Sequence, residues 1–142
     1  MPIELRAPHA ADLPAIRRLI AQLGYELSPE TIQANLAELA ERSEPVLLAC
    51  EGEEVLGLMA IRWGRMLQTP APLARITTLV VLDAARGRGV GKLLVDAGAD
   101  LARAAGSEVL ELTTGLHRTA AQEFYKAIGF TVSALRLNRP LG

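Results

Sequence analysis

The sequence predicts a single α/β (α+β) domain over residues 1–142, and three observations carry that prediction. Strand-like and helix-like segments alternate along the chain with no linker between them. A glycine-rich turn, Arg86-Gly87-Arg88-Gly89-Val90-Gly91-Lys92, joins an apolar run that reads as a strand to an amphipathic helix. Half of the 142 residues are apolar, enough for one good core and no more. Only 4% are aromatic, so alanine, leucine and valine must do most of the packing.

Taken in order, residues 2–6 alternate at period two and read as a first strand. Asp12 stands where a cap is needed for a helix with Leu13, Ile16, Leu19, Ile20 and Leu23 on one face, ending at Gly24. Pro14 is tolerated there because it falls in the first turn. Ser28-Pro29-Glu30 starts a second helix that turns Ile32, Leu36, Leu39 and Ala40 to one side. Residues 46–50 and 55–63 flank Glu51-Gly52-Glu53-Glu54 and read as a hairpin. Proline content makes 67–72 a loop. A strand follows at 76–82, then the glycine turn and a helix bearing Val90, Leu93, Leu94, Ala97 and Leu101, closed by Gly106. Residues 109–114 read as another strand. The last helix carries Ala121, Phe124, Tyr125 and Ile128 as one stripe, with Gly129 as its left-handed terminator and Phe130 folding back. A final strand is expected near 131–137.

Charge and composition exclude several classes of function. The net charge is −1 and no long basic run lies outside the glycine turn, so neither nucleic acid nor an anionic membrane is expected as primary partner. The amino terminus lacks a charged start with an apolar signal core, and no stretch approaches membrane-spanning length. Cys50 is the only cysteine, which rules out an internal disulfide framework and points to its being core. A cytoplasmic protein is the expectation. His9 and His117 fall outside metal-binding spacings and read as surface loop residues, so no metal site is expected.

The glycine turn is suited to a polyphosphate. Missing Cβ atoms let a ligand approach the backbone, and the first N–H groups of the following helix are unpaired at the positive end of its dipole. A P-loop is excluded because Leu93 stands where Ser or Thr must bind magnesium. A dinucleotide fingerprint is excluded because neither Gly87 nor Gly89 starts a Gly-x-Gly-x-x-Gly run. What remains is Arg-x-x-Gly-x-Gly, read as Arg86, Gly89 and Gly91. This motif resembles the acyl-CoA pyrophosphate loop of the GCN5-related N-acetyltransferase (GNAT) superfamily. The segment from His117 to Phe130, with its Ala-x-x-Phe-Tyr-x-x-x-Gly-Phe ending, resembles the last helix of the same superfamily. The resemblance is specific over residues 75–130.

That resemblance implies a mixed, mostly antiparallel sheet flanked by helices, with a shortened C-terminal strand region. It implies acetyl-CoA as co-substrate and an amine as acceptor. The implied cofactor-binding positions are Leu79, Val80 and Val81 through their backbone, then Arg86, Gly87, Arg88, Gly89, Val90, Gly91 and Lys92 in the turn, and Arg118 and Ala121 at the last helix. Arg118 stands where relatives often have an asparagine, and two readings stay open: a phosphate contact or a solvated side chain. Tyr125 matches the usual general acid for the departing sulfur; the alternative is an aromatic packed beside Phe124.

No general base is evident. Many relatives carry a carboxylate where Thr77 and Thr78 stand here. Glu111 and Glu26 are the candidates, beside deprotonation through water or capture of the neutral amine fraction. A non-catalytic acyl-CoA-binding module and a nucleotide-binding regulatory domain are the competing classes, while small amine, antibiotic, peptide amino terminus and protein lysine all stay open as acceptors. Twelve residues follow Phe130, enough for one strand where the family usually has a hairpin. The expectation is closure of that strand onto 109–114 or a homodimer that completes the sheet.

Overall fold

Over residues 2–142, which the computed structural model describes, five strands form one sheet in chain order. β1 (Glu4–Arg6), β2 (Val46–Glu51), β3 (Glu54–Gly64) and β4 (Leu73–Val81) run antiparallel. β5 (Leu110–Leu112) pairs parallel with β4, as a strand reached through a crossover helix must. Four helices cover the two faces: α1 (Leu13–Gln22), α2 (Pro29–Glu41), α3 (Val90–Ala104) and α4 (Thr119–Ala127).

Alternation along the strands divides the core into two layers. On one face Ile16 and Leu19 of α1 and Ile32 of α2 pack on Leu48, Leu58 and Val80. On the other, Val90, Leu94 and Val95 of α3 pack on Leu56, Met59, Ile61 and Ile76. Cys50 is buried, as expected of a core residue. The expected antiparallel hairpin and all four helices are present, and the mixed, mostly antiparallel sheet with flanking helices is the architecture observed.

Four local expectations are corrected. Asp12 precedes α1 but does not cap it; its carboxylate accepts two hydrogen bonds from Arg6, at 2.7 and 2.8 Å, and one from the His9 N–H at 2.8 Å. A guanidinium offers a bidentate, charged partner that a helix N–H cannot match. β4 begins at Leu73 rather than at 76, because β3 is long enough to pair with it there. β5 spans three residues instead of six, because β4 turns away from it beyond Ile76. The strand near 131–137 does not form. Its backbone pairs with no strand, and Val132, Leu135 and Leu137 are 82–90% exposed. Arg136 Nη1 donates to Thr113 Oγ1 at 3.2 Å, so the segment passes β5 without pairing its backbone.

Candidate active site

The site begins with a defect in β4. Ala60 of β3 faces Thr78 while Ile61 faces Ile76, so Thr77 is an extra residue opposite no partner. A bulge of this kind bends the strand and reverses the alternation beyond it. Before the bulge the Ala74 N–H points to the β5 side, where it meets the carbonyl of Val109, just ahead of that strand, at 3.3 Å. After it, the Leu82 N–H points to β3 and bonds the Leu56 carbonyl at 2.8 Å. By the two-residue repeat Val80 also points to β3, and Leu79 and Val81 point away. β5 no longer follows β4 here, so the backbone groups of Leu79 and Val81 line an open edge. Val80 contributes no free N–H; its side chain lies in the α1 layer.

The glycine turn follows at the end of that edge. Gly87 and Gly89 have φ of +81° and +80°, a region costly for any residue with a Cβ. A Cβ at either would meet nothing within 4 Å, so the space beside both peptides is open. Gly89 is the N-cap of α3 and supplies no side-chain cap. The first intrahelical bond runs from the Leu93 N–H to the Gly89 carbonyl at 3.0 Å, leaving the N–H groups of Val90, Gly91 and Lys92 without intrahelical partners. Val90 is itself buried and offers only its backbone. These are the donors and the room that a pyrophosphate requires.

The cations of the turn each face a carboxylate. Arg86 pairs with Asp83 at 2.9 Å, Lys92 with Asp96 at 2.6 Å, and Arg88 with Glu51. Arg88 holds the Glu51 carboxyl below its ordinary range. Such solvent-exposed pairs contribute little to stability.

Gly91 serves packing instead. A Cβ there would lie 3.1 Å from the ring of Phe124 and 3.7 Å from Cγ2 of Val81. The turn, α4 and the open end of β4 therefore meet at one point. Tyr125 is next on α4, half-buried, with its ring edge-on to Phe124 and Phe130 at 5.4 and 5.8 Å. The Phe130 N–H reaches back to the Tyr125 carbonyl and the Gly129 N–H to that of Lys126, the two bonds of a Schellman cap. Burial raises the Tyr125 phenol above its ordinary value of 10, opposed in part by the charge of Arg118. The hydroxyl thus stays protonated at neutral pH. Arg118 opens α4 and Ala121 lies half-buried in its first half.

The sequence model of the Acetyltransferase (GNAT) family matches residues 13–130. The chain belongs to this family. It is an acetyl-CoA-dependent N-acetyltransferase. The aminoalkylphosphonate N-acetyltransferase of Salmonella typhimurium is 31% identical, over 99% of this chain and 94% of that protein. A transcriptional regulator from Bacillus halodurans superposes with a TM-score of 0.88 at 24% identity, over 99% of this chain and all of that one. An aminoglycoside N-acetyltransferase in complex with CoA superposes with a TM-score of 0.86 at 19% identity, over 99% and 95% of the two chains. The two structures establish the fold alone.

In this acetyltransferase the candidate bases fare unequally. Glu111 is held by Arg75, whose Nε donates at 2.8 Å, across the β4–β5 pair. Glu26 lies exposed in the turn after α1. The Thr77 hydroxyl donates to the Ala60 carbonyl at 3.4 Å, and no threonine is a base near neutral pH. Among the described residues no group of three His, Cys, Asp or Glu could hold a metal. A cavity of about 490 Å³ lies elsewhere, under α2 at the β1–β2 side, lined by Pro8, Leu13, Leu36, Ala40 and Val46. It borders neither the glycine turn nor Tyr125.

Sequence reasoning missed three contacts around the site. Gln22 bonds the end of β4, Gln122 holds the loop before α4 through the Gly115 and Leu116 carbonyls, and Arg88 pairs with Glu51. Each is a long-range or loop contact with no local pattern to announce it.

Proposed function

We propose that the enzyme acetylates the primary amine of a small acceptor, with an aminoalkylphosphonate as first candidate, while acetyl-CoA lies along the open edge of β4. The observation that carries this reading is the meeting of three features: the free edge at Leu79 and Val81, the unpaired N–H groups of α3, and Tyr125. The relative 31% identical over nearly the whole chain supports the acceptor.

Acetyl-CoA supplies an activated acetyl thioester. The N–H groups of Val90, Gly91 and Lys92 hold its pyrophosphate, while Leu79 and Val81 align the arm and present a donor to the carbonyl oxygen. Tyr125 Oη gives its proton to the departing sulfur and regains one from solvent. The acceptor loses its proton to water, since Glu111 is held by Arg75 and threonines occupy the β4 positions.

We place the reaction in the cytoplasm, in keeping with the single cysteine; no helix among the described residues is long and apolar enough to cross a membrane. Self-association belongs to the same reading. The exposed Leu135, Leu137 and Leu141 of the C-terminal segment, together with the unpaired outer edge of β5, favour a homodimer. Light scattering at micromolar concentration tests it, and a monomer mass rejects it.

Thiol release from acetyl-CoA, measured against an aminoalkylphosphonate, an aminoglycoside, a peptide amino terminus and a lysine side chain, tests the acceptor. Turnover is expected with the small amines, highest with the aminoalkylphosphonate. Turnover confined to peptide or lysine acceptors rejects the small-amine reading.

A further inference from the structure

Gln22 is the last residue of α1, and its side-chain amide is committed to β4. Nε2 donates to the Val81 carbonyl at 2.6 Å, and Oε1 accepts from the Asp83 N–H at 3.1 Å. A donor and an acceptor bonded to the C=O of one residue and the N–H of the residue two further on is what a neighbouring strand would offer. Gln22 therefore stands in, over one residue pair, for the strand that β5 fails to provide. Two backbone groups at the end of the edge would otherwise depend on water.

The connection has a direction. α1 packs on the opposite face of the sheet from α3, through Ile16 and Leu19, and the turn that follows Gln22 carries the exposed Tyr25 and Glu26. One half-buried side chain thus links that turn to the final residue of the open β4 edge.

We infer that Gln22 is a positioning residue for acetyl transfer: it fixes the backbone at Val81 so that the edge is preset for the pantetheine arm. The inference rests on the proposed placement of acetyl-CoA along β4. An amide that merely filled the edge would have the opposite effect, since its removal would open the site.

Gln22→Leu keeps the helix preference of the side chain and removes both bonds. Gln22→Glu keeps the acceptor for the Asp83 N–H and sets a carboxylate against the Val81 carbonyl. Calorimetric titration compares two ligands, acetyl-CoA and 3′-phospho-ADP, which shares the phosphates and lacks the arm. For Gln22→Leu the acetyl-CoA Kd is expected to rise about tenfold, the scale of one or two lost hydrogen bonds. Gln22→Glu should weaken it further, and 3′-phospho-ADP should bind both variants as it binds the parent. Unchanged or tighter acetyl-CoA binding overturns the inference. So does an equal loss for both ligands, which marks general loosening of the fold. If the parent itself binds acetyl-CoA no better than 3′-phospho-ADP, the placement along β4 fails first, and the role of Gln22 with it.

Discussion

Replacing Gly89 by alanine separates the fold's need for this residue from the ligand's. Its φ is +80° and a Cβ there would touch nothing within 4 Å, so no clash contributes to the cost. What remains is left-handed strain, about 1–2 kcal/mol for an alanine. For a domain of this size that lowers Tm by roughly 3–8 °C. Gly106 provides the control, because its φ is +89°, its Cβ would also meet nothing, and it lies beyond the far end of α3. Gly106→Ala should therefore lose about the same stability. Only Gly89→Ala puts a methyl group into the space beside the free N–H groups. Its acetyl-CoA affinity should fall by more than tenfold, about 1.4 kcal/mol or greater. Gly89→Val should fall further, since a branched side chain tolerates positive φ least. Calorimetric titration and thermal melts on the same preparations make the comparison. Equal affinity in the Gly89 and Gly106 variants would refute the assignment of the turn to the pyrophosphate.

Tyr125→Phe preserves both edge-on ring contacts and removes only the hydroxyl. Its kcat should fall roughly 10²-fold with acetyl-CoA affinity little changed, and the alkaline limb, above pH 10 in the parent, should vanish from the rate profile. Glu111→Gln should keep turnover within about threefold, against the ~10²-fold or more expected on removing a general base; a large loss would make Glu111 the base despite its pairing with Arg75. With no carboxylate base, the acid limb of kcat/KM should track the pKa of whichever amine is supplied, and an invariant limb across amines would reveal an enzyme group. Asp12 is held down to about 2, from 3.8, chiefly by its hydrogen bonds from Arg6. A depressed carboxyl stabilises the fold fully above about pH 4 and loses that effect as pH falls towards 2. Asp12→Asn should thus cost about 2 kcal/mol near neutrality, and denaturation midpoints of variant and parent should converge at the acid end.

The helices and the central hairpin were legible because their signals are local. Ser28 accepts from the Thr31 N–H, and Gly129 ends α4, as their positions in the sequence suggest. The glycine turn and the Phe-Tyr helix were legible for the same reason, as contiguous motifs. Features that depend on partners distant in sequence were not. The length of β5 depends on where β4 bends, and the bulge at Thr77 that bends it has no signature in Ile76-Thr77-Thr78. The segment 131–137 has strand-like residues yet leaves the outer edge of β5 unpaired, so propensity misled. Asp12 carries the signature of a cap, yet Arg6 claims its carboxylate once β1 and the following turn are in place. At the site, the family resemblance treats Leu79, Val80 and Val81 alike. Only the register shows Val80 bonded inward.

That register makes the most direct test a residue-resolved one. Amide hydrogen exchange by NMR, with and without acetyl-CoA, reads each N–H separately. Binding should newly protect Leu79 and Val81 on β4 and Val90, Gly91 and Lys92 at the start of α3. The Val80 amide, already bonded to β3, should change little. Protection that bypasses the Leu79 and Val81 amides, or that appears around the cavity under α2 instead, would contradict the placement of acetyl-CoA along the open edge of β4.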